Sequence, residues 1–166
     1  MKYTSAQANK LLKQLNEEKN LIKLEEKKSA KFIAATVEKL EDVRPEYDYE
    51  ATSGKIREYD RKIRVVKHAI NQFNVTTVVE EYGMTIDEML VYLPQLGEQL
   101  DTLAKMVSTP AKERRESYTS NLIEYEYANY DVKKAADDYR KLFAMKAGIQ
   151  TALDAVNSNV TFEIEL

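Results

Sequence analysis

Apolar residues fall at alternating spacings of three and four over three long stretches of this chain, the pattern of a helix with one buried seam. The clearest is Ile56, Tyr59, Ile63, Val66, Ile70 and Phe73. The next is Ile86, Met89, Leu93, Leu96, Leu100, Leu103 and Val107, widened by Leu90. The third is Val132, Ala135, Tyr139, Leu142, Ile149, Leu153 and Val156, with Lys146 as the one misfit in the seam. A helix is also predicted from Thr4 or Ser5, with Ala8, Leu11, Leu12, Leu15 and Ile22 on one stripe and the pattern weakening after Leu24. Residues 30–44 fit either a continued helix or an extended segment, and Pro45-Glu46-Tyr47-Asp48 ends any helix before it.

The helix ends carry their own signals. Asp48 or Thr52-Ser53 is placed to cap the second helix, Asp131 the fourth, and Thr85-Ile86-Asp87-Glu88 reads as a capping box for the third. Pro94 lies inside the third helix and predicts a kink, with Gly97 weakening the same stretch. Two helices share an exit. Asn71-Gln72-Phe73-Asn74-Val75-Thr76 and Asn157-Ser158-Asn159-Val160-Thr161 both place Asn before β-branched residues. Asn tolerates the left-handed conformation that closes a helix, so both helices are expected to stop there and feed strands lying near each other. The first of these strands is read at 75–79 and the second at 160–166. Leu122-Ile123-Glu124-Tyr125-Glu126-Tyr127 alternates like a half-buried strand, and Ala111 to Thr119 reads as a charged connector.

The order helix, helix, strand, helix, strand, helix, strand predicts a mainly α fold. It is an antiparallel bundle of about four long helices with a small antiparallel β-sheet at one end, in a single domain over 1–166 with a flexible or extended segment at 30–47. With 166 residues, 43% hydrophobic and 32% charged but only 4 Gly and 3 Pro, the composition suits long helices and few turns.

Chemistry is sparse. Cysteine is absent, which excludes disulfides, thiolate metal sites and a cysteine nucleophile and fits a reducing cytoplasm. The single His68 cannot build a His-rich metal site alone. With 4 glycines and no spaced group, the phosphate-loop and dinucleotide fingerprints are missing. A net charge of −3 gives no bulk pull toward nucleic acid or an anionic membrane. Met1-Lys2-Tyr3-Thr4 opens no signal peptide, and no apolar run is long enough to span a bilayer.

Three groups of residues are worth following. Arg57, Arg61, Arg64 and His68 recur at four, three and four, forming a basic stripe opposite the apolar seam that suits phosphate or an acidic partner. Tyr125, Tyr127 and Tyr130 crowd the strand before the last helix, and tyrosine suits interfaces. Glu80, Glu81, Asp87 and Glu88 surround the Tyr82-Gly83 turn as a candidate carboxylate site for a hard cation.

Ile70-Asn71-x-x-Asn74-x-Thr76-Thr77 followed by Gly83-Met84-Thr85-Ile86-Asp87-Glu88-Met89-Leu90, with Asp131-Val132 and Asn157-x-Asn159-Val160-Thr161 near the end, resembles a bacterial family of small helical proteins of unknown function. Some members carry the label septicolysin, which would imply a pore-forming toxin; this sequence has no long amphipathic apolar hairpin to support that. The resemblance implies a soluble helical fold and no established activity. The expectation is a cytoplasmic, non-catalytic protein acting by association, a homo-oligomer without a cofactor or metal and without nucleic acid or membrane as partner. A nucleic-acid accessory protein using the basic stripe and a metal-dependent enzyme using the carboxylates are the two alternatives.

Overall fold

The computed structural model describes residues 1–115 and 123–166. Its elements run β1 (Lys2–Thr4), α1 (Ser5–Ser29), α2 (Leu40–Val43), α3 (Tyr49–Thr76), β2 (Val78–Val79), β3 (Met84–Thr85), α4 (Ile86–Ser108), β4 (Lys112–Arg115), β5 (Glu124–Tyr127), α5 (Val132–Asn159) and β6 (Thr161–Glu163). The fold is mainly helical with small antiparallel sheets, as expected in outline. In detail it differs: among the described residues there are five helices, one of them a single turn, and three separate two-stranded pairs rather than one sheet. The backbone divides into two compact units, Met1–Asn74 with Asn157–Leu166, and Val75–Val156.

In the first unit, Thr4 caps α1 through a capping box with Gln7. The seam residues meet as predicted. Ala8 and Leu15 of α1 pack with Ile63, Val66 and Ile70 of α3 and with Ile164 in one buried cluster. The strand Lys2–Thr4, which the local pattern does not announce, pairs with β6 in the register Lys2↔Glu163, Tyr3↔Phe162, Thr4↔Thr161. Mutual bonds between Met1 and Ile164, 3.1 and 2.9 Å, lengthen that ladder. Phe73, at the end of the α3 seam, stacks on Phe162 with ring centroids 4.5 Å apart. Farther along, Lys19 pairs with Asp60, and the Tyr47 hydroxyl donates to Glu26 at 2.9 Å.

α1 stops at Ser29, so residues 30–39 do not continue it. They run irregularly, turn at Ala35–Glu38 and enter the single turn α2. Asp48 caps α3, its carboxylate accepting from the Ala51 N–H at 2.9 Å.

In the second unit, β2 and β3 form a short hairpin, Val78↔Thr85 and Val79↔Met84. Gly83 closes it at φ 62, a conformation open to glycine at little cost. Thr85 then caps α4 as predicted: its hydroxyl accepts from the Glu88 N–H at 3.2 Å while Glu88 accepts from the Thr85 N–H at 2.7 Å. Ile86, Met89, Leu96 and Leu100 are buried from α4, and Ala135, Ile149 and Leu153 from α5. Leu90, expected to widen the α4 stripe, is 46% exposed and faces water. α4 continues through Pro94 to Ser108. Asp131 caps α5, accepting from the Lys133 and Lys134 N–H groups at 2.8 and 3.1 Å.

The shared Asn exit is overturned as a mechanism. Among the described residues no residue but glycine has positive φ, so neither Asn74 nor Asn159 closes a helix in the left-handed conformation. α3 carries Val75 and Thr76 inside it, leaving only Val78–Val79 as strand. A β-branched residue costs a helix only tenths of a kcal/mol, roughly 0.5, and the running helix tolerates two. Nor do the two exits pair: β2 takes β3 and β6 takes β1.

Candidate functional site

The basic stripe of α3 is exposed at all four positions, Arg57, Arg61, Arg64 and His68. It is not an isolated positive surface. Glu58 on the same helix accepts both Arg61 Nε at 3.1 Å and Arg61 Nη2 at 3.0 Å, a bidentate pair, and lies 3.6 Å from Lys62. That hydrogen bond from Arg61, with the Lys62 charge, holds the Glu58 carboxyl below the usual range and raises the Arg61 guanidinium. Asp60 is likewise lowered, first by the hydrogen bond from Lys19 and further by the nearby charges of Arg64 and Lys23. Arg64 and His68 line one side of an open cleft of about 500 Å³, and Glu163 and Glu165 of the C-terminal segment line the other. Arg61 and Arg64 thus sit among carboxylates of their own chain, which lowers the potential a phosphate backbone would meet.

Around the Tyr82-Gly83 turn, Glu80, Glu81, Asp87 and Glu88 are exposed. Glu88 already serves the capping box, and the backbone hydrogen bond from Thr85 lowers its pKa. Among the described residues no group of three or more His, Asp or Glu is arranged to hold a metal ion. No buried side-chain nitrogen or oxygen there lacks a hydrogen-bond partner, so none is left waiting for a ligand.

The three tyrosines fall in two settings. Tyr130 is half-buried, and its hydroxyl donates to the Met106 carbonyl in the last turn of α4 at 2.9 Å. Tyr125 and Tyr127 belong to a ribbon. The expected charged connector supplies β4 from its described part, residues 116–119 lying outside the described residues, and β4 pairs with β5 in the register Lys112↔Tyr127, Glu113↔Glu126, Arg114↔Tyr125 and Arg115↔Glu124. The half-buried strand read from 122–127 is corrected: every residue of both strands is exposed, and Leu122 lies outside the described residues. One face carries Tyr125 and Tyr127, their centroids 6.4 Å apart, with Lys112 Nζ 4.1 Å from the first ring and 5.4 Å from the second. The other face sets Glu113 directly opposite Glu126, a like-charge pair that weakens an isolated ribbon.

A further feature lies where the sequence pattern left the conformation open. Between α1 and α2, Ile33 is 95% and Val37 94% exposed; Leu21 and Leu24 within α1 and Leu40 at the start of α2 are 61%, 50% and 53% exposed. Phe32 sits beside them, 39% exposed, with the Arg44 guanidinium 5.8 Å from its ring. The sequence carries apolar residues at 32, 33, 37 and 40, whose spacing fits a continued helix as well as an extended segment and so did not announce an exposed one.

No protein family matches the sequence, and no curated protein matches it at a significant level. Among solved structures, a crystal structure of a functionally unknown conserved protein from Corynebacterium diphtheriae is similar over 98% of this chain and 100% of that one, with a TM-score of 0.58 and 13% sequence identity. The likeness concerns the fold. It agrees with a helical protein of unknown function and lends nothing to a toxin label. No helix among the described residues is long and apolar enough to cross a membrane.

Proposed function

We propose that this protein works by association and performs no chemistry of its own, with a second copy of the chain as its partner. The observation behind this reading is the amount of large apolar surface left in water at two places, the Leu21–Leu40 region and the ribbon with Ile123, Tyr125 and Tyr127. Single exposed apolar residues are ordinary, but a run of them marks an interaction surface. A two-stranded ribbon is marginal by itself, and one with Glu113 facing Glu126 benefits from a covering partner. Nucleic-acid binding through Arg57, Arg61 and Arg64 is disfavoured by the carboxylates set among them. Cation chemistry at Glu80, Glu81, Asp87 and Glu88 is disfavoured because Glu88 is held by Thr85.

Light scattering behind size-exclusion chromatography tests the proposal. Association requires an apparent mass above the 19.2 kDa of one chain that rises with loading concentration. A mass of one chain throughout sinks it. Salt-dependent retention of single- or double-stranded DNA, lost on changing the three arginines to Glu, would favour the nucleic-acid reading instead.

A further inference from the structure

Among the described residues, β6 has only β1 beside it and β4 only β5, so each strand keeps one open edge. The registers say which backbone groups stand on those edges, because bonded and unbonded residue pairs alternate along an antiparallel ladder. Met1 and Ile164 exchange both bonds, so Phe162 also bonds across to Tyr3. Glu163 and Glu165 therefore turn their N–H and C=O groups to the open edge of β6. In the other ribbon the Ala128 N–H donates to the Ala111 carbonyl at 3.1 Å, so Glu113 bonds across to Glu126. Lys112 and Arg114 therefore turn theirs to the open edge of β4. Side chains follow the same alternation. Glu163 and Glu165 share the exposed face of β6, with Ile164 buried on the other. Lys112 and Arg114 share one face of β4, with Glu113 on the other.

The two open edges fit each other. An antiparallel register with Arg114 opposite Glu163 and Lys112 opposite Glu165 joins residues whose backbone groups both point outward, so each donor meets an acceptor. Both cross-strand pairs then set base against acid. Glu113 falls opposite Ile164, toward the open cleft of about 500 Å³ whose α3 wall carries Arg64 and His68. That cleft is lined by α3 and by residues 163–165 and by none of β1, so it opens beside the free edge of β6. Glu113 thus gains two basic neighbours, where in its own ribbon it faces Glu126. Among the described residues, Glu163, Glu165, Lys112, Arg114, Arg64 and His68 form no ion pair. Two further charges lie close by. Lys2 stands across from Glu163 on the β1 side without an ion pair, and Arg115 has Glu124 as its own cross-strand neighbour. Neither edge suits its own kind: β6 against β6, centred on Glu163 or Ile164, sets Glu opposite Glu, and β4 against β4, centred on Glu113, sets Lys112 opposite Arg114.

We infer that β4 of one chain adds to the open edge of β6 in a second copy, joining the two ribbons into a four-stranded sheet in the order β1-β6-β4-β5. This rests on the self-association reading above and adds to it the surface and the register. It also gives the fully exposed β4–β5 ribbon the neighbours that a two-stranded ribbon needs for stability.

Sedimentation equilibrium of the full chain is the test, with charge-reversed edges. Changing Glu163 and Glu165 to Lys should weaken association about tenfold or more, as should changing Lys112 and Arg114 to Glu. All four side chains are exposed, so circular dichroism should be little altered. Mixing the two variants should restore association, because each β6 again meets a β4 of opposite charge. A second pair of variants leaves every charge in place. The register sets Ala111 opposite Leu166 as an unbonded pair, with Cα atoms about 4.5 Å apart and within reach of a disulfide. The chain has no cysteine of its own. Ala111→Cys and Leu166→Cys chains mixed under mild oxidation should therefore form a mixed disulfide well in excess of the dimer either forms alone. A wild-type chain that oligomerises but is indifferent to both reversals, or gives no excess of mixed disulfide, overturns the interface and leaves the association reading standing. A wild-type monomer at every concentration overturns both. A monomer in which a synthetic peptide of residues 111–115 shifts the Glu163 and Glu165 amide signals by NMR assigns the edge to a foreign strand and overturns the second copy.

Discussion

Replacing Phe73 by Ala should be among the most damaging single changes in the first unit. Phe73 keeps 6% of its surface exposed, closes the apolar seam of α3 and stacks on Phe162 at 4.5 Å. A phenylalanine side chain carries about 200 Å² of apolar surface, and at about 25 cal/mol/Å² its burial stabilises by about 5 kcal/mol. That figure is an upper bound, because the denatured chain already hides some of this area. Alanine retains part of the burial but leaves a cavity, so the expected loss is about 3–4 kcal/mol. Part of it belongs to the ring pair. A double-mutant cycle with Phe162→Ala should return a coupling energy of about 1 kcal/mol. Urea unfolding followed by far-ultraviolet circular dichroism, with the midpoint shift multiplied by the slope, measures both quantities. A loss below about 1 kcal/mol, the range of ordinary surface substitutions, would refute the docking of the α3 end on the C-terminal strand. So would a cycle with no coupling.

Other outcomes follow from the same contacts. Thr85→Ala removes the α4 cap and should cost about 1 kcal/mol in the same assay. Glu88, Glu58 and Asp60 have folded pKa values lowered below their unfolded ones, so their contribution is present above the usual carboxylate range and is lost as pH falls through the lowered values. Unfolding midpoints measured against pH should therefore drop on acidification, and by somewhat less in Thr85→Ala, whose Glu88 carboxyl loses the hydroxyl hydrogen bond but keeps the backbone one and should stay lowered, less than in the parent, by NMR. Gly54→Ala, with open space around the new methyl, should stabilise α3 by about 0.5–1 kcal/mol. Gly148→Ala places that methyl 2.6 Å from the Tyr82 hydroxyl, so displacement of the ring should outweigh the same helical gain, for a net loss of about 1 kcal/mol.

What the sequence revealed was what is local or periodic. The middle of the α3 and α4 seams appears in the buried set (Ile63, Val66, Ile70 and Phe73; Ile86, Met89, Leu96 and Leu100), while Val107 at the end of α4 is exposed, and Thr85, Asp48 and Asp131 cap as their side-chain chemistry requires. Strand partners were hidden because pairing is non-local. Lys2-Tyr3-Thr4 has no pattern of its own until Thr161-Phe162-Glu163 comes beside it. Lys-Glu-Arg-Arg has weak strand propensity and becomes β4 only opposite β5. The paired Asn exits misled for the opposite reason: a shared local motif was read as a shared conformation, while α3 runs on to Thr76 and α5 stops at Asn159 as expected, without a left-handed residue. Of the candidate surface residues, the arginine stripe and tyrosine strand stood out by spacing. The Ile33–Val37 patch did not, because its meaning lies in exposure, which periodicity does not report.

Self-association is the claim on which the rest depends, and sedimentation of the unmodified chain tests it most directly. Self-association requires a weight-average mass that exceeds 19.2 kDa and climbs with concentration. A single species of 19.2 kDa at every concentration would contradict it.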